Sequence, residues 1–145
     1  MTGMFLVDTN VLSEPAKLSP SPNVLNWLRR HGPSEVYTTV ISQAEILFGV
    51  ELLPAGKLRD ALAASTEKMF TEDYGGRILQ FDEDAARLFA QVAAQRQAIG
   101  RPISQFDAMI AAIARVHNAT LVTRDVADFL DCGIHVVNPW EKALG

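Results

Sequence analysis

The chain has 145 residues, of which 48% are hydrophobic and 21% charged, so one domain of ordinary size with a full core is expected over residues 1–145 and disorder is not. Seventeen acidic residues against thirteen basic ones give a net charge of −4, which argues against the broad basic face of a typical nucleic-acid binder. It does not exclude nucleic acid, because carboxylates gathered around a divalent cation bias the count. No apolar run approaches the roughly 20 residues of a membrane span, and the first residues lack the basic start and long apolar stretch of a signal peptide. Cys132 is the single cysteine, so an internal disulfide is impossible and a reducing cytoplasm is the expected location.

Met4 to Val7 is four apolar residues in a row, the pattern of a strand buried on both faces. It stops at Asp8, with Thr9 and Asn10 behind it. Pro15 to Pro22 reads as a proline-rich surface loop, and Asn23 as the cap of a short helix carrying Val24, Leu25, Trp27 and Leu28. Arg29, Arg30 and His31 fall in the last turn of that helix, where cations suit its dipole. Glu35 to Ile41 predicts a second strand, Ser42 to Leu53 a helix ended by Pro54 and Gly56, and Lys57 to Thr71 another helix.

After a turn at Gly75-Gly76, Arg77 to Phe81 reads as a short strand. Asp82 caps a long helix to Ile99, and Ser104 caps one that ends near His117 with Asn118 as a left-handed cap. Ala119 to Thr123 and Ile134 to Val137 are the last two strands, with a helical turn at Val126 to Leu130 between them. Strands alternating with helices predict an α/β three-layer sandwich with a mainly parallel sheet of about five strands.

Four acids stand at comparable points of that pattern. Asp8 and Asp125 each follow an apolar strand; Glu45 and Asp107 each fall in the first turn of an expected helix. Ligands of open parallel sheets bind beyond the carboxyl ends of the strands. Each acid also has a structural role to offer. Asp8 and Asp125 can cap helical turns, Ser42-Gln43-Ala44-Glu45 fits a capping box, and Ser104-Gln105-Phe106-Asp107 resembles one. The set of four carries the chemical reading. Clustered carboxylates repel one another unless a cation compensates them, and oxygen-only ligands select Mg²⁺ or Mn²⁺. Such an ion activates water for attack on a phosphodiester, so hydrolysis of nucleic acid is the sharpest reading. His31, His117 and His135 are scattered without zinc spacing, and no serine shows a paired base.

The stretches Leu6-Val7-Asp8-Thr9-Asn10-Val11-Leu12-Ser13-Glu14, Ser42 to Glu45, Arg101 to Ala112, Leu121-Val122-Thr123-Arg124-Asp125 and Val136 to Trp140 follow in order. With them the whole chain resembles the PIN-domain family, and within it the VapC toxins of the FitB-like branch. The resemblance implies a metal-dependent endoribonuclease acting as the toxin of a type II toxin–antitoxin pair. It implies that Asp8, Glu45, Asp107 and Asp125 form an acidic quartet around Mg²⁺ or Mn²⁺. Asp8 and Asp107 would be the most direct ligands, with Asn10 and Thr123 in support and Asp128 at the outer edge. It also implies a homodimer and a cognate VapB- or FitA-like antitoxin. The antitoxin's tail would wrap the toxin and send a basic side chain into the acidic pocket, in a larger assembly held on DNA through the antitoxin.

Two other classes fit less well. A phosphoacceptor receiver domain places adjacent acids after its first strand and a lysine after its last, whereas Thr9-Asn10 and Asn138-Pro139 stand here. A catalytically silent PIN-like module that binds RNA or protein is the remaining alternative, and an RNA-cleavage assay separates it. Arg124, beside Asp125, is the basic residue to test for a phosphate contact.

Overall fold

The computed structural model describes residues 3–142; the ends of the expected domain, residues 1–2 and 143–145, lie outside the described residues. The elements run β1 (Phe5–Val7), α1 (Thr9–Ser13), α2 (Pro22–Arg30), β2 (Val36–Thr39), α3 (Val40–Glu51), α4 (Lys57–Lys68), β3 (Ile78–Leu79), α5 (Glu83–Ala98), α6 (Gln105–Val116), β4 (Thr120–Val122) and β5 (Val136–Val137). The five strands form one sheet in the order β3-β2-β1-β4-β5, and every neighbouring pair is parallel. The α/β sandwich with a five-stranded parallel sheet is therefore as the sequence predicts. Among the described residues no helix is long and apolar enough to cross a membrane.

The two-residue period of a strand sends alternate side chains to opposite faces. Leu6, Leu121 and Tyr37 join a core with Ile110, Ile113, Ala85 and Val92 of α5 and α6. Their neighbours Val7, Val122 and Val36 join a second core with Val11 of α1, Val24 and Trp27 of α2, and Phe70. Two cores, one on each face, make the sheet the middle layer.

Several boundaries differ from the sequence expectation. Helix α3 starts at Val40, not Ser42, because Thr39 at the end of β2 is its cap and accepts the Ser42 N–H at 3.0 Å. Ser42-Gln43-Ala44-Glu45 is thus not a capping box, and Glu45 lies in the second turn instead of the first. Helix α2 is capped by Ser21 at 3.4 Å, not by Asn23, whose amide instead donates to the Trp140 carbonyl at 2.7 Å. Pro22 opens α2, where its missing N–H is not needed. The expected loop before it begins as a 3₁₀ turn over Glu14–Ala16. Glu14 is buried and ties this segment together, pairing with Lys17 at 2.9 Å and accepting the Ser21 N–H at 2.8 Å.

After Lys68 the chain continues as a π-helical turn over Met69–Asp73. Gly75 follows because a Cβ there would stand 2.4 Å from the Thr71 carbonyl oxygen. The caps at Asp82 and Ser104 and the left-handed Asn118 (φ 50°) are as expected.

Candidate active site

The carboxyl ends of β1 and β4, the central strand and its neighbour, build the site. Pairing of Val7 with Val122 places Asp8 beside Thr123. Asp8 is 5% exposed, and both its oxygens are held: Oδ1 accepts the Thr9 N–H at 2.8 Å and Oδ2 accepts the Thr123 hydroxyl at 2.7 Å. It is therefore the cap of α1 and a member of the cluster at once. The hydroxyl of Thr9 donates to Glu45 Oε1 at 2.8 Å, which brings α3 to the same point. The amide of Asn10 donates to Asp125 Oδ2 at 3.1 Å and to the Thr123 hydroxyl at 3.4 Å, while its oxygen accepts the Arg124 N–H at 3.4 Å. Asp125 makes no cap bond to the turn that follows it. The Thr123 hydroxyl also accepts the Asp125 N–H at 3.1 Å.

Asp107 arrives from the start of α6, where the Ser104 hydroxyl accepts its N–H at 3.2 Å. Burial, then the charge of Asp8, then those of Asp128 and Glu45 push its carboxyl up to about 6, against a smaller opposing effect from Ser104. The Asp8 carboxyl is also raised. Burial is the main cause, opposed by the bonds from Thr123 and Thr9 and reinforced by the Glu45 and Asp125 charges. Each quartet residue thus lies within electrostatic reach of another. Asp128, expected at the outer edge, adds its charge to Asp107. Ser42, buried three residues before Glu45, has a hydroxyl with no protein partner.

Sequence reasoning passed over Thr9. Its signal is its position, between an acid that ends a strand and an asparagine that bonds another acid. Among the described residues, no three carboxylate, imidazole or thiol groups are placed close enough to share one ion. The donor chemistry fits a hard divalent cation all the same: the donors are oxygen atoms only, and burial and neighbouring charge oppose the ionisation of Asp8 and Asp107, which a cation would favour.

The family model described as "PIN domain" matches residues 5–131. The chain belongs to the PIN-domain family. Among PIN-domain relatives, it is 39% identical over 137 residues to the toxin FitB of Neisseria gonorrhoeae, covering 94% of this chain and 99% of that protein. It is 38% identical over 140 residues to the VapC ribonuclease Y4jK of Sinorhizobium fredii, covering 97% and 100%. Among solved structures it is similar to a chain of FitAB bound to an IR36 DNA fragment, with a TM-score of 0.92 at 38% identity over 97% of this chain and 99% of that one.

Proposed function

We propose that this PIN-domain protein is the endoribonuclease toxin of a toxin–antitoxin pair and that Asp8, Glu45, Asp107 and Asp125 hold Mg²⁺ or Mn²⁺ for its reaction. The observation that carries the reading is the network through Thr9, Asn10 and Thr123, which hydrogen-bonds Asp8, Glu45 and Asp125 at one end of the sheet. Likeness to a protein named as a VapC ribonuclease supports RNA as substrate. Likeness to FitB in a FitAB–DNA complex supports an antitoxin partner and an assembly on DNA through it.

When bound, the ion supplies a water of lowered pKa and charge stabilisation at the phosphate. The chain's own residues prepare its place. Thr123 and the Thr9 N–H fix the Asp8 carboxylate, Thr9 fixes Glu45, and Asn10 fixes Asp125. Asp8 and Asp107 would be the most direct ligands, with Glu45 and Asp125 completing the set and Asp128 adding negative charge at its edge. Arg124, exposed beside Asp125, has its guanidinium carbon 5.0 Å from the centre of the Trp140 ring. That stacking leaves its N–H groups to meet an RNA phosphate that the acids alone would repel.

The antitoxin's binding surface is the apolar cavity of about 640 Å³ lined by Val11, Leu12, Ile46, Val50, Leu62 and Met69 among others. A basic residue on its tail then satisfies the acids in place of the cation. A second copy of the chain completes a homodimer.

The test is cleavage of a labelled total-RNA pool by the purified protein with Mn²⁺ or Mg²⁺, with EDTA, and with Asp8→Asn in parallel. Cutting that needs the metal and falls at least ~100-fold in the variant is the expected result, since even groups that only support a metal ligand typically cost 10–100-fold when lost. Cutting that survives EDTA or Asp8→Asn overturns the metal-site reading. No cutting by protein shown free of antitoxin favours a silent binding module instead.

A further inference from the structure

Arg96, near the end of α5, is 4% exposed. A guanidinium keeps its charge at any ordinary pH, so burying it requires that its N–H groups be met. Among the described residues it forms no ion pair with a carboxylate. It donates instead to backbone carbonyls: from Nε to Arg101 at 2.7 Å, and from Nη1 to Asp128 at 2.8 Å and Leu130 at 3.0 Å. The same nitrogen lies 3.4 Å from Cys132 Sγ. A position that only had to fill this core would be served as well by an apolar side chain.

The acceptors come from two segments, and both lead to the acid cluster. Arg101 lies in the connection from α5 to α6, three residues before Ser104, which caps α6 at Asp107. Asp128 and Leu130 lie in and just after the 3₁₀ turn that follows Asp125. A surface ion pair, Arg101 to Asp131 at 2.8 Å, joins the same two segments. The charge of Asp128 works against that of Asp107, and Arg96 bonds the two backbone segments that carry them. We propose that Arg96 is a positioning residue, clamping the loop that enters α6 to the turn after Asp125 and so fixing where Asp107 stands relative to Asp125 and Asp128. Its consequence for cation binding rests on the metal-site reading above; the clamp itself does not.

Arg96→Lys tests it, because an ammonium keeps the charge but lacks the planar fork that spans both segments. Two quantities are measured on the whole folded protein: hydrogen–deuterium exchange in residues 101–107 and 126–131, and Mn²⁺ affinity by titration calorimetry. Val24→Ala, a buried truncation in the core on the opposite face of the sheet, is the control for general destabilisation. Arg96→Lys is expected to speed exchange in both segments and to weaken Mn²⁺ binding about 10-fold, the lower end of what the loss of ligand support costs. Val24→Ala is expected to do neither. Unchanged exchange in either segment, or equal losses in Val24→Ala, overturns the clamp. If wild-type protein binds no Mn²⁺, the metal-site reading fails while the exchange data still decide the clamp. Arg96→Met, which fills the stem's volume without charge, is the second variant should Arg96→Lys not fold. Failure of both to fold makes Arg96 a folding residue and overturns the proposal as well.

Discussion

On one side of the sheet, α6 buries Ala108, Ile110, Ala111, Ala112, Ile113 and Ala114, each 1% exposed or less. On the other side, α3 has Ser42 as its one buried residue, and α3, α4 and the link between them leave Phe48 64%, Leu52 68% and Leu58 66% exposed. The large apolar cavity opens on this second side, against residues of the second core. Small side chains let α6 approach the sheet closely, and Phe106 is the one residue of that helix left as a large exposed apolar group, at 50%. The α3–α4 side keeps apolar surface that the chain itself does not bury. The first side is closed by the chain itself; under the proposed function the second is the one a partner covers.

Breaking the closed side should have the largest effect. Ile113→Ala is expected to lower unfolding free energy by about 3 kcal/mol, because α6 is too tightly packed to collapse around the void; urea denaturation measures it. Next comes the open side. Leu62→Asp puts a charge in the cavity wall and is expected to weaken antitoxin binding by roughly 2 kcal/mol, about 30-fold, by calorimetry. RNA cleavage by the free toxin should be unchanged; a parallel loss of cleavage would show that the cavity is not separate from the acid site.

Asp107 joins the closed side to the cluster and sharpens the contrast through pH. Its folded carboxyl is raised from 3.8 to about 6. Asp107 therefore costs the metal-free fold nothing below about pH 4 and progressively more as pH rises towards 6, where the unfolded chain ionises more readily. Asp107→Asn is expected to stabilise the metal-free protein at pH 7 by about 1 kcal/mol, after discounting for solvent screening, and by nothing near pH 4. Urea melts at both pH values check this. The smallest effect is expected from Phe48→Ala, which should change the monomer's stability by less than about 0.5 kcal/mol.

Strands β1, β3, β4 and β5 were legible because each is a short run that ends at a polar residue, and the helices of the closed side because their caps, Asp82 and Ser104, begin helices directly. Helix α3 was misplaced by two residues for a specific reason. Val40 and Ile41 are β-branched and follow a strand without a break, so local preference extends β2 through them, while the cap that ends it, Thr39, is itself a good strand former. That error gave Glu45 a capping role; the structure gives it Thr9 as partner instead. The four acids were readable as strand-end and helix-start residues, but the bonds that tie them span more than one hundred positions in two cases and leave no local pattern. Arg96 was illegible for the opposite reason. One arginine in an amphipathic helix looks like any solvent-facing residue until the loops that cover it are in place.

The bond from Thr123 to Asp8 joins residues 115 positions apart, and it exists only when β4 lies against β1. During synthesis, Asp8 leaves the ribosome long before β4 does. Until then the first strand lacks one of its two neighbours in the sheet, and Asp8 has no Thr123 and Asn10 no Asp125. Under the proposed function, a chain stopped before β4 carries Asp8 without the Thr123 bond that helps place it, so the site is assembled late in synthesis.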